Sequence, residues 1–146
     1  MNSRKRYKKS ELINFTYNIL KKVGLNNSNS KIISDLIIRA DERGVWSHGI
    51  VRLPVYVNRI EKKAAKKNPN FKFKKISNNI FHLSGDNGLG YLAANAGIKK
   101  CVSLAKEKGI GLVAISKSNH FGMAANYLEF ASKNKCIAWV YTNASK

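Results

Sequence analysis

The chain predicts a mixed α/β fold: three helices, a hairpin, then a helix–strand–helix–strand series. Three observations carry that prediction. Apolar residues recur at helical spacing over positions 10–60, the period of helices with one buried side. Short apolar runs bounded by Ser, Asn and Gly, the signature of strands, begin only after position 70. Gly24 and Gly109 stand just past helical stretches, where a left-handed residue closes a helix.

Taken in order, residues 1–9 read as a disordered basic tail. Leu12, Phe15, Ile19 and Val23 then keep helical spacing up to Gly24. Ser28 or Ser30 can cap a second helix whose Ile33, Leu36, Ile37 and Ala40 face inward. Positions 41–46 break the pattern. Ser47 can cap a third helix carrying His48, Arg52, Tyr56 and Ile60. Pro54 requires either that the regular turn begins just before it or that the helix bends there. Positions 63–70 read as a linker, and 71–76 with 80–83 as a hairpin across Ser77, Asn78 and Asn79. The turn-rich loop 85–90 opens a helix with Ala94, Ile98, Cys101, Val102 and Ala105 on one face. Positions 110–116 predict a buried strand, 123–134 a helix and 137–141 a last strand. A natural domain seldom ends directly behind a core strand, which would lack the elements that cover it.

Composition narrows the function. The 146 residues suffice for one domain, and the 44% apolar fraction is that of a globular protein. No apolar run approaches the roughly 20 residues of a membrane-spanning helix. The basic start is followed by more polar residues rather than an export core, which points to the cytoplasm. Cys101 and Cys136 have no partner at metal-like spacing and read as free thiols of a reducing compartment. The net charge of +19 favours anionic partners. The excess is mostly Lys spread in pairs, Arg is scarce, and Lys, Asn and Ile are enriched together as an AT-rich genome would dictate. That pattern argues against nucleic acid, whose contacts favour Arg, although a basic nucleic-acid-binding module is the alternative by charge.

The chemistry-bearing stretch is 40–56, which sets His48, Arg52 and Tyr56 four residues apart. On a helix these share one face. An imidazole, a carboxylate-binding fork and a hydroxyl together suit a small organic acid. His120 lies between a predicted strand and helix, where side chains project into a crevice at the sheet edge, and Gly122 beside it permits close backbone approach. His82, among apolar neighbours in a strand, reads as structural. The loop 85–90 lacks the G-x-G-x-x-G spacing and reads as a turn with a cap, which Asp86 could brace. No spacing supports a metal site.

The segments 40–56, 85–90, 108–113 (Lys-Gly-Ile-Gly-Leu-Val), 118–122 (Ser-Asn-His-Phe-Gly) and 142–143 (Thr-Asn), in this order, resemble the malate/L-lactate dehydrogenase family of NAD(P)-dependent oxidoreductases. This is the group with ureidoglycolate and sulfolactate dehydrogenases, distinct from the Rossmann-type enzymes. The resemblance implies a non-Rossmann cofactor-binding fold, NAD or NADP as cofactor, a small 2-hydroxy or 2-keto acid as substrate, and a homodimer. It implies that His120 and His48 exchange protons with the substrate, that Arg52 binds its carboxylate, and that Ser47 and Tyr56 line the pocket. Asn143 and Ala144 match cofactor-contacting positions, although Ala144 stands where members often carry Ser. On this basis 10–63 is the substrate-side helical region and 64–146 an incomplete part of the cofactor-binding domain. Family chains are more than twice as long, so the expectation is a truncated portion with little activity alone. A non-catalytic fragment that needs a partner chain is the other alternative.

Overall fold

The computed structural model describes residues 6–143. Helix α1 (Lys9–Lys22) carries Glu11 in its first turn and Lys21 and Lys22 in its last, matching charge to the helix dipole. Gly24, at φ +98°, turns the chain after it. The expected inward face is shifted: Thr16 and Leu20 are buried, while Phe15 is 55% exposed. Helix α2 (Asn27–Glu42) is capped by Asn26, whose side chain accepts the Asn29 N–H at 2.8 Å. The cap is therefore neither of the expected serines. Asparagine caps as well as serine does, and its position one step ahead of the helix decides. Ile33, Leu36, Ile37 and Ala40 are buried, as their spacing predicts.

The third segment is not one helix. Two 3₁₀ turns, Trp46–His48 and Ile50–Arg52, precede α3 (Leu53–Glu61), which begins one residue before Pro54. The ring at Pro54 sits in the first turn, where the missing N–H costs nothing. Gly49 is extended at ψ −149°, so Ser47 caps no helix through its side chain and His48 does not share a helix face with Arg52.

Strands β1 (Lys72–Lys75) and β2 (Ile80–Gly88) pair antiparallel as the predicted hairpin. β2 extends through the expected loop, because Asp86 and Asn87 take positive φ and bend it without ending it. Asp86 braces this bend, taking Lys66 Nζ at 2.5 Å and the Asn70 N–H at 2.9 Å. Helix α4 (Gly90–Lys108), ended by left-handed Gly109, returns the chain to β3 (Leu112–Ser118), which lies parallel to β2. The sheet order is β1–β2–β3. β2 thus serves the hairpin and a β-α-β crossover at once. His82 on β2 meets the Ser116 hydroxyl on β3 at 2.8 Å, a bond between strands that fits the structural reading.

Two strand expectations fail. β3 is not buried: Leu112 is 51% and Ile115 38% exposed, since among the described residues it is an edge strand, and even Ile115, which meets α4 near Gly97, is only partly covered. Residues 137–141 follow α5 (Ala125–Lys133) but enter no ladder. Their side chains do alternate: Ala138 and Val140 pack on the core while Ile137, Trp139 and Tyr141 are exposed. The period of a strand is present without a backbone partner. The core lies between α1, α2, α3, α4 and α5, around Leu20, Ile33, Ile37, Ile60 and three buried tyrosines, Tyr56, Tyr91 and Tyr127.

Candidate active site

His48 and His120 come from segments 72 positions apart in sequence, and the fold stacks their rings with centroids 5.5 Å apart. The turn that carries His48 is held from α2. Asp41 accepts the Ile50 N–H at 2.7 Å, and its carboxylate fills the place that a Cβ at Gly49 would take, 1.9 Å from Oδ1. Gly49 is therefore required by the close approach of Asp41. Arg52 is folded back so that its Nε donates to the Ser47 carbonyl at 2.7 Å. That bond leaves the two terminal nitrogens of the guanidinium for a carboxylate.

His120 sits just past β3. Its carbonyl accepts the Gly90 N–H at 3.2 Å, and a Cβ at Gly90 would stand 2.0 Å from the Asn119 carbonyl oxygen. The α4 N-terminus is thus closed by the 119–120 backbone. Asn119 pins the same corner: its amide donates to the carbonyls of Asn87 and Gly88, and its oxygen accepts from Arg59 Nη1 at 2.8 Å.

Each imidazole has a hydroxyl on Nδ1. Ser47 Oγ lies 2.9 Å from His48 Nδ1, and Tyr56 Oη lies 2.9 Å from His120 Nδ1. Nε2 is then the nitrogen left for a ligand in both rings. Tyr56 is 1% exposed, so its hydroxyl faces His120 and Tyr91 rather than an open pocket. Burial, then the nearby His48, Arg52 and Arg59, hold His120 below the usual imidazole value. Burial pushes the Tyr56 and Tyr91 hydroxyls up, keeping both protonated.

These rings open onto a groove of about 2450 Å³ that runs past β3 and α5 to Asn143. Small-ligand pockets span roughly 300–1,000 Å³, so a substrate would occupy only part of it. Among the described residues its lining includes His48, Arg52, Arg59 and several lysines, and no Asp or Glu. The structure therefore brings His48, His120, Arg52 and Tyr56 together, with Ser47 behind His48. Asn143 lines the far part of the groove, and Ala144 lies outside the described residues. Tyr91, Asp41 and Asn119 were not singled out by sequence reasoning. Tyr91 had only its place at the start of an apolar helix face as a signal.

A profile described as malate/L-lactate dehydrogenase matches residues 7–146. The chain belongs to the malate/L-lactate dehydrogenase family. Among relatives in that family, the malate/(S)-sulfolactate dehydrogenase of Methanothermus fervidus is 38% identical over 125 residues, covering 86% of this chain and 37% of the relative. The malate dehydrogenase of Pyrococcus abyssi is 34% identical, covering 95% of this chain and 38% of the relative. Among solved structures, malate dehydrogenase from Pyrococcus horikoshii superposes with a TM-score of 0.86 at 33% identity, covering 88% of this chain and 37% of that one. Sulfolactate dehydrogenase from Methanocaldococcus jannaschii gives 0.84 at 32% identity, covering 86% and 37%. The chain spans a little over a third of the length of these family members. Among the described residues no helix is long and apolar enough to cross a membrane.

Proposed function

We propose that this chain carries the acid-binding and proton-exchanging half of an NAD(P)-dependent oxidoreductase site that interconverts a small 2-hydroxy acid and its 2-keto acid. The observation that carries the reading is the stacked His48–His120 pair beside Arg52 in a groove without carboxylates. Arg52 would clamp the acid through its terminal nitrogens, which holds the substrate in register with the imidazoles. In reduction His120, as an imidazolium, would give its Nε2 proton to the substrate oxygen; in oxidation Nε2 would take a proton back only in the form that carries the ring proton on Nδ1. His48 would polarise the same oxygen, and Ser47 would hold that ring. Charge develops on this oxygen as an alkoxide, which an imidazolium quenches.

The nicotinamide cofactor, when bound, supplies or accepts the hydride. Asn143, an exposed residue of the groove lining, and Ala144 would be the contacts that this chain makes with it. Ureidoglycolate dehydrogenase (NAD(+)) and (2R)-3-sulfolactate dehydrogenase (NADP(+)) are both among the relatives, so either nucleotide fits the family. We further propose a cytoplasmic protein that assembles as a homodimer. Because the chain spans a little over a third of its relatives, acid binding is the property to assay first, with little turnover expected from these residues alone.

The test titrates malate, 3-sulfolactate and oxamate into protein with 15N-labelled histidine. Resonances of His48 and His120 should shift together while His82 stays fixed. Arg52→Ala should weaken binding by roughly 10- to 150-fold, the loss of a charged hydrogen-bonded contact. Unmoved His48 and His120 signals at millimolar acid would overturn the proposal.

A further inference from the structure

Tyr56 and Tyr91 do something that a pocket-lining role does not explain. Tyr91 is fully buried, and its hydroxyl lies 3.1 Å from Tyr56 Oη, which in turn lies 2.9 Å from His120 Nδ1. The two phenol rings cross edge to face at 87°, with centroids 5.4 Å apart, which fixes both hydroxyls in place. A third group points at the same nitrogen: the Gly122 N–H lies 3.4 Å from His120 Nδ1. Tyr91 reaches this position only because residue 122 has no side chain. A Cβ there would stand 2.3 Å from the Tyr91 ring.

Counting protons decides the direction of this chain. If Tyr91 donates to Tyr56 and Tyr56 to Nδ1, both buried hydroxyl protons have acceptors, and the Gly122 N–H also faces an acceptor. In the reverse direction Nδ1–H donates to Tyr56 and Tyr56 to Tyr91. Among the described residues the fully buried Tyr91 hydroxyl then has no other hydrogen-bond partner for its proton, and the Gly122 N–H confronts another N–H. Buried donors without acceptors are strongly disfavoured. We infer that Tyr91 and Tyr56 are positioning residues that lock neutral His120 in its Nε2–H tautomer. The inference rests on the proposed site, with His120 as the group that meets the substrate oxygen. The lock presents a donor to that oxygen. A keto oxygen only accepts hydrogen bonds, so the neutral site is set to receive the keto acid.

Long-range 1H–15N spectra of the whole chain with 15N-labelled histidine test this directly. The chain has three histidines, so His48→Gln and His82→Gln assign the signals. Above the titration of His120, Nδ1 should show a pyridine-type and Nε2 a pyrrole-type signal. Tyr56→Phe removes the donor, and the Nε2–H to Nδ1–H ratio should fall roughly two- to tenfold, the worth of one hydrogen bond. Tyr91→Phe should lower it less, because Tyr56 keeps its own proton but loses the polarising donor. A wild-type Nδ1–H form overturns the lock without any variant, so a poorly folding Tyr56→Phe does not blunt the test. An unchanged ratio in a folded Tyr56→Phe also overturns it. The expected tautomer without any response to malate, 3-sulfolactate or oxamate would leave the lock standing and remove the dehydrogenase reading; acid binding with the opposite tautomer would do the reverse.

Discussion

Replacing Gly122 with alanine tests how the site is packed around Tyr91. Two costs add at this position. Its φ of +77° is left-handed, which a Cβ makes unfavourable by about 1–2 kcal/mol. The new methyl would also sit 2.3 Å from the Tyr91 ring and 2.5 Å from its hydroxyl oxygen, an overpacking worth about 1–3 kcal/mol. Gly109 isolates the first cost, since its φ is +82° and nothing lies within 4 Å of its added Cβ. Gly109→Ala should therefore cost about 1–2 kcal/mol, and Gly122→Ala about 2–5 kcal/mol. For a chain of this size 1 kcal/mol shifts Tm by about 2–4 °C. The expected losses are then about 2–8 °C for Gly109→Ala and about 4–20 °C for Gly122→Ala. Thermal unfolding followed by circular dichroism reads both. The excess of Gly122→Ala over Gly109→Ala should shrink in a Tyr91→Leu background, because the clash then has a smaller target. Equal losses at the two glycines would refute the reasoning, since backbone strain alone would account for both.

Three further outcomes follow from the same geometry. Burial, His48, Arg52 and Arg59 depress the His120 value, so the unfolded chain binds more protons between the folded value and about 6.5. Stability should be full above about pH 6.5 and fall as pH drops through the folded value, and His120→Gln should flatten that slope in urea titrations. A bound acid anion offsets the same cations, so binding should take up a proton, seen by calorimetry in buffers of different ionisation enthalpy. Asp41→Ala strips the acceptor from the Ile50 N–H and should cost about 1–3 kcal/mol, with Asp41→Asn milder. Because that turn carries His48, acid-induced shifts of His48 should weaken in Asp41→Ala even where the fold survives.

Helices with a strong apolar period were legible in the sequence, as Ile33, Leu36, Ile37 and Ala40 show on α2. Segments governed by tertiary contacts were not. The stretch 46–52 carries helical spacing, yet Asp41 draws Gly49 and Ile50 onto α2 and breaks the helix into turns. His48 and Arg52 still meet in one groove, because folding the turn back replaces the shared face. The bend at Asp86 and Asn87 reads locally as a loop, and it stays in the sheet because Gly88 pairs with Ser118 of β3 and is bridged by Lys66. Residues 137–141 show the limit of periodicity: alternation fixes which side chains face the core, but a strand also needs a neighbour. Family motifs located His48, Arg52, Tyr56 and His120, while the packing of Tyr91 against Tyr56 and Gly122 had no such signal. That is a contact between distant positions which no local pattern encodes.

The choice of hydroxyls as ring anchors makes sense for an acid-binding site. Histidines are often oriented by a carboxylate on Nδ1, which raises their proton affinity and places negative charge beside the ring. Here such a charge would repel the incoming acid and compete with it for Arg52. Ser47 and Tyr56 hold the two rings without charge, and Asp41 spends its carboxylate on the Ile50 backbone instead. The groove keeps a positive potential from Arg52, Arg59 and its lysines, which draws anions in. Burial and the neighbouring cations hold His120 below the usual value, and an acid anion, by offsetting the cations, would raise its proton affinity. Protonation would thereby be tied to occupancy, which is what the proposed reaction needs at the substrate oxygen.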